Sequence, residues 1–117
     1  MESIEGIDNS VGLHNVLGDE LLFKEILVMF YHDHNEDIIR LREAIENKDF
    51  ANLKHIVHTL KGVSSSVGAM ELYNKARQLD SAVNDNKSEV FDALFTELIP
   101  TFEQVMSSIK SHINTEQ

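Results

Sequence analysis

Along most of this chain apolar residues return every three or four positions, and little interrupts them: one proline and five glycines are spread over 117 residues. That period belongs to an α-helix with one buried stripe, and so few breakers leave little room for another architecture. Phe23, Leu27, Phe30, Ile38, Leu41 and Ile45 place one long amphipathic helix from Asp19 to about Asn47. The Asp19 carboxylate is its expected N-cap, and Gly18 marks the turn before it. Leu53, Ile56, Leu60, Val63 and Val67 mark a second helix, from about Phe50 to Val67. Asn47-Lys48-Asp49 introduces it, and Gly68 stops it, because glycine tolerates the left-handed backbone of a helix end. A third helix, about Ala69 to Val83, carries Leu72, Ala76, Leu79 and Val83, and Asn84 to Ser88 forms the next turn. The last, about Glu89 to Ile113, carries Phe91, Leu94, Leu98, Val105 and Ile109. Pro100 lies inside it, lacks the amide N–H and is expected to kink or split it. Ahead of all four, the stretch Ile7 to Leu17 contains Ile7, Val11, Leu13 and Val16, which suffice for a short helix across one end. The expected fold class is therefore all-α: an antiparallel four-helix bundle with a short additional N-terminal helix.

The length fits a single domain, 1–117, with the bundle over about residues 7–113. Without cysteine there is neither a disulfide nor a thiolate-held zinc. The acidic start Met1-Glu2-Ser3-Ile4-Glu5 lacks the basic and apolar regions of a secretory signal, and no apolar run approaches membrane-spanning length. A cytoplasmic, monomeric protein with no membrane partner is expected. Twenty acidic against ten basic residues give a net charge of −10, which opposes binding to nucleic acid or anionic lipid. Any phosphate chemistry must then rest on a local basic patch.

Such a patch exists on the second main helix. At about 100° per residue, with His58 as zero, Leu53, Ile56, Leu60, Val63 and Val67 fall between roughly 140° and 220°. His58 therefore points away from the core. Ala51, Lys54, Lys61, Gly62 and Ser65 lie within roughly 60° of it. A phosphoryl group on the imidazole would bring about two negative charges, for which Lys61 at i+3 and Lys54 at i−4 supply counter-charge. Gly62 leaves space for a bulky partner to bring in a reactive carboxylate. A glycine inside a helix costs roughly 0.5–1 kcal/mol against alanine, and a need for close approach accounts for one here. Ser65, a further turn along, can donate to a phosphate oxygen. Neutral imidazole is a nucleophile near neutral pH, and its N–P bond stays reactive.

The run His58-Thr59-Leu60-Lys61-Gly62-Val63-Ser64, with Gly68-Ala69 behind it, resembles the signature of histidine phosphotransfer domains. Gly12-Leu13, Gly18-Asp19, Leu22 and Phe30 are similar to the first part of such domains, so the likeness spans about residues 7 to 110. It implies a four-helix bundle whose His58 is phosphorylated by a receiver's aspartyl phosphate, or by a histidine kinase, and then phosphorylates another receiver. Its implied partners are receiver domains of response regulators and hybrid sensor histidine kinases. Lys61 matches the family's phosphate-neighbouring lysine and Gly62 its small residue beside the imidazole. Ser64 matches the motif serine, but at roughly 240° it reads as a small core-edge residue. Asp80 stands where similar domains often place Gln or Glu to hydrogen-bond the imidazole. Val57 departs from the alanine that often precedes the histidine, and Pro100 is outside the family pattern.

His14, His32, His34, His55 and His112 complete the histidines. His55 and His58 are three apart and need only a carboxylate from another helix to bind a metal, yet the Glu-x-x-His pairs of helix-bundle metal sites are missing. His34, four residues after Phe30, is either a satisfied inner histidine or part of the rim near the acceptor, and the structural role is the one expected. No Gly-rich phosphate loop or Ser/His/Asp ordering appears. The chain is expected to be a carrier rather than an enzyme, with no nucleotide site, no cofactor and no metal of its own, and Mg²⁺ is expected on the receiver partner. A metal-binding bundle and a helical interaction module that transfers nothing are the rival readings.

Overall fold

Three aspartates set where helices begin. In a computed structural model, which describes residues 1–115, Asp8, Asp19 and Asp49 accept from the backbone N–H groups of Ser10, Leu22 and Asn52, at 3.0, 3.0 and 3.2 Å. Each thereby satisfies an N–H that has no partner inside its own helix. The Ser10 hydroxyl also donates to Asp8 and holds that carboxyl below its usual range. The helices are α1 (Asn9–Asn15), α2 (Glu20–His34), α3 (Asp37–Glu46), α4 (Phe50–Val67), α5 (Met70–Asn84) and α6 (Phe91–Thr115), with a 3₁₀ turn at Ser88–Val90 before α6.

The single helix expected from Asp19 to Asn47 is two helices. The break at Asn35–Glu36 has neither glycine nor proline. What occupies it is a charge cluster. Asp37, 3% exposed, takes a contact of 2.8 Å from His34 Nδ1 and a hydrogen bond of 3.1 Å from Arg40. Arg40 also donates to the Asp33 carbonyl at 3.2 Å, one of those freed at the end of α2. The apolar stripe continues across the break, so α2 and α3 together make one column of the bundle against α4 and α6.

Short turns then return the chain twice. Gly68, at φ +83°, closes α4, and α5 packs back along it; α6 follows and closes the ring against α2 and α3. Phe23, Leu27, Leu41, Leu53, Leu60, Leu72, Leu79, Leu98 and Ile109 are fully buried between these columns. Pro100 does not split α6, which runs unbroken to Thr115. Its position explains why: Pro100 and Thr96 are both exposed, so the bond that proline cannot give to the Thr96 carbonyl is lost on the solvent side of the helix.

The short helix α1 is narrower than the expected Ile7–Leu17 and lies over the end of α4. Asp8 N–H donates to the Gly68 carbonyl at 2.8 Å, and Asn15 Nδ2 to that of Ser66 at 3.1 Å. A Cβ on Gly68 would collide with the Asp8 carbonyl, and one on Gly12 with the Phe23 ring. Both glycines are required by this close approach.

Candidate functional site

The buried arc of α4 consists of Leu53, Val57, Leu60, Ser64 and Val67. Counted from His58, it spans roughly 180° to 260°. It is therefore turned toward α5 relative to the expected stripe: Val57 is a full core residue, and Ile56 and Val63 lie at the margin. Ser64 is buried with its hydroxyl lacking a partner, in keeping with packing. His58 points out, its side chain 69% exposed.

On the α5 side Lys61 and Asp80 form an ion pair, Nζ to Oδ2 at 2.9 Å. The Asp80 side chain is only 5% exposed, and the same Oδ2 lies 3.8 Å from His58 Nδ1. That distance is too long for a hydrogen bond. The shorter aspartate thus engages the lysine first and the imidazole by proximity. Asp80 Oδ1 is buried and has no partner.

Gly62 is open: nothing lies within 4 Å of where its Cβ would be. Lys54 is exposed and shares a shallow recess with His58, His55, Ala51 and Asn84. Ser65 is half-buried and stands seven residues beyond His58, about 10.5 Å along the axis. It is the Ser66 hydroxyl that bonds locally, to the Gly62 carbonyl at 3.1 Å. Asn84 is the recess residue that sequence reasoning treated only as a turn. It follows Asp80 by four positions, one turn along the same face, and that spacing was the available signal.

Toward α2, Ile26, Met29, Phe30, His34, Val63 and Ser66 line a more apolar groove of about 140 Å³. His34 is satisfied by Asp37, as expected of an inner histidine. Among the described residues no group of three or more His, Cys, Asp or Glu is placed to hold a metal ion, so the metal-bundle reading gains no support. No helix among them is long and apolar enough to cross a membrane. What the face offers is the accessible imidazole of His58, with that of His55 in the same recess, a buried carboxylate behind it, lysines beside it and clear space above.

The sequence matches the family model of the Hpt domain over residues 25–111. The chain belongs to the Hpt family. Its fold is that of solved Hpt structures. The Hpt domain of a sensor hybrid histidine kinase from Shewanella aligns with a TM-score of 0.85 at 20% identity, covering 94% of this chain and 95% of the other. Histidine-containing phosphotransfer protein B from Pseudomonas aeruginosa aligns with a TM-score of 0.80 at 24% identity, covering 94% and 96%. No curated protein matches it in sequence. As an Hpt domain the chain serves histidine phosphotransfer in a two-component phosphorelay, a carrier role in which such domains meet receiver domains and histidine kinases.

Proposed function

We propose that His58 is the residue that carries the phosphoryl group. The observation that carries this reading is its setting on α4: exposed, beside a glycine with open space above it, and backed by the Lys61–Asp80 pair. The Asp80 carboxylate 3.8 Å from Nδ1 favours the imidazole proton on that nitrogen by its charge, which leaves the lone pair on Nε2 for attack. In the forward step that lone pair attacks the phosphorus of a receiver's aspartyl phosphate. The N–P bond forms, the P–O bond to the aspartate breaks, and its electron pair leaves with the carboxylate. Delivery to a second receiver is the reverse.

Lys61 is near enough to follow the phosphoryl oxygens while keeping contact with Asp80, and Lys54 adds charge from the recess. Ser65 is the outermost of the group, within reach of a docked partner rather than of the imidazole. Gly62 provides the clearance for two proteins to bring aspartate and histidine together. On this reading the chain acts as a monomer in the cytoplasm, has no nucleotide site of its own, and leaves Mg²⁺ and the acidic residues of the transfer step to the receiver.

The test is phosphoryl transfer from radiolabelled receiver domains of the source organism. The wild-type chain should acquire an acid-labile, base-stable label, and His58→Gln should abolish it while the helical circular dichroism is unchanged. Label surviving that substitution would place the acceptor elsewhere, and receiver binding without any label would make the chain an interaction module.

A further inference from the structure

The lysine on the α5 side of the acceptor is already paired. Lys61 Nζ lies 2.9 Å from Asp80 Oδ2, so the pair brings little net charge to His58 before a phosphoryl group arrives. A dianion on the imidazole must draw further counter-charge from the open face around it. Two groups stand in the recess that His58 itself lines: Lys54 and His55. A lysine keeps its charge throughout the neutral range, whereas an imidazole changes charge between about pH 5 and 8.

We infer that His55 is a second, titratable counter-charge for the phosphoryl group on His58. The inference rests on His58 being the acceptor. His55 precedes His58 by three positions on α4, a spacing that puts Cβ atoms about 5–6 Å apart on the helix surface, and its side chain is exposed. On its other flank His55 lines a recess with Asp33 and His34 of α2 and Asp37 of α3. Asp37 already has His34 and Arg40 as partners. From α5 the recess receives only the uncharged Asn84. The charged or titratable groups facing His55 are thus Lys54 and His58 on its own helix, with Asp33, His34 and Asp37 across the groove.

Linkage fixes the direction. If a proton on His55 favours the phosphoryl group on His58, the phosphoryl group favours that proton to the same extent. Through His55, falling pH therefore favours the phosphoryl group on this domain over the receiver aspartate. One added charge some 6–8 Å from a dianion, across wet and salt-screened surface, is worth roughly two- to fourfold in the transfer equilibrium. His55 needs no contact with the reacting atoms to act in this way.

The experiment compares wild type, His55→Gln and His55→Lys at transfer equilibrium with a radiolabelled receiver domain of the source organism, at about pH 6 and about pH 8. Dividing each ratio of labelled domain to labelled receiver by that of His55→Gln cancels the receiver's own pH dependence and the acid lability of the bond. The wild-type ratio should rise roughly two- to fourfold from the higher to the lower pH. The His55→Lys ratio should exceed one by about the same factor at both. A wild-type ratio that stays flat, or a lysine variant that follows the glutamine variant, overturns the inference. Failure of the acceptor assignment is separate: it appears as label surviving in His58→Gln.

Discussion

Gly62 sits inside α4 with nothing within 4 Å of the place a Cβ would take. Alanine there meets no obstacle and recovers helix propensity. Gly62→Ala should therefore stabilise the fold by about 0.5–1 kcal/mol, seen as a higher urea midpoint. Packing gives no reason for the glycine, whereas partner approach does. The same variant should slow phosphoryl transfer by roughly tenfold, or about 1.4 kcal/mol of barrier. A stabilised variant that transfers at the wild-type rate would show that the glycine does not serve access. Lys61 presents the opposite balance. Without it Asp80, with a 5% exposed side chain, keeps a buried charge whose Oδ1 already lacks a partner. Lys61 is partly exposed, so the loss is smaller than for a fully buried pair: Lys61→Met should cost roughly 1–3 kcal/mol. Adding Asp80→Leu removes the stranded charge and should recover most of that cost in the same denaturation measurement.

The helices of the bundle were legible where the stripe, the caps and the stops agreed. Asp19, Asp49 and Gly68 stand at helix ends as their chemistry dictates. The division of the first long helix was not legible by period, because Phe30 and Leu41 keep one stripe across it. The missed signal was Asp37. It lies seven residues after Phe30 and four before Leu41, an acid on the apolar stripe itself, with His34 and Arg40 three positions to either side. A buried carboxylate demands such partners, and the backbone yields to let them reach it. Asp37→Ala should cost roughly 1–3 kcal/mol and loosen α3 before the rest of the bundle. Hydrogen exchange should show protection falling first in the amides of α3; uniform loss across all helices would make the cluster a generic core element rather than the clasp of this break. The site was legible in a similar, partial way. Periodicity turned His58 outward and gathered Lys54, Lys61 and Gly62 around it. The Lys61–Asp80 pair and Asn84's place in the recess depend on how α5 settles against α4, which no single-helix pattern contains.

At the scale of the whole molecule, a net charge of −10 is confined to a body of 42 × 24 × 19 Å. At about 0.01 M salt the Debye length is roughly 30 Å, so most acidic side chains repel one another across the fold. At about 0.15 M it is roughly 8 Å, and only near neighbours still interact. Folding concentrates this charge and unfolding disperses it, so screening should favour the folded state. The ion pairs that stabilise the fold respond in the opposite sense, but Asp37 and Asp80 are buried and so are screened much less than surface charges. The repulsive contribution should dominate. Raising sodium chloride from about 0.01 M to about 0.3 M should lift the thermal midpoint by roughly 2–4 °C, which corresponds to about 0.5–1 kcal/mol for a domain of this size. A midpoint that falls with salt would mean that attractive pairs, and not net repulsion, govern the electrostatics of this bundle. The same screening acts between proteins, because a strongly acidic body presents a receiver with an exposed lysine, Lys54, in the recess beside His58. Transfer rates measured across that salt range should therefore respond more steeply in wild type than in Lys54→Gln, whose face has lost its exposed cation.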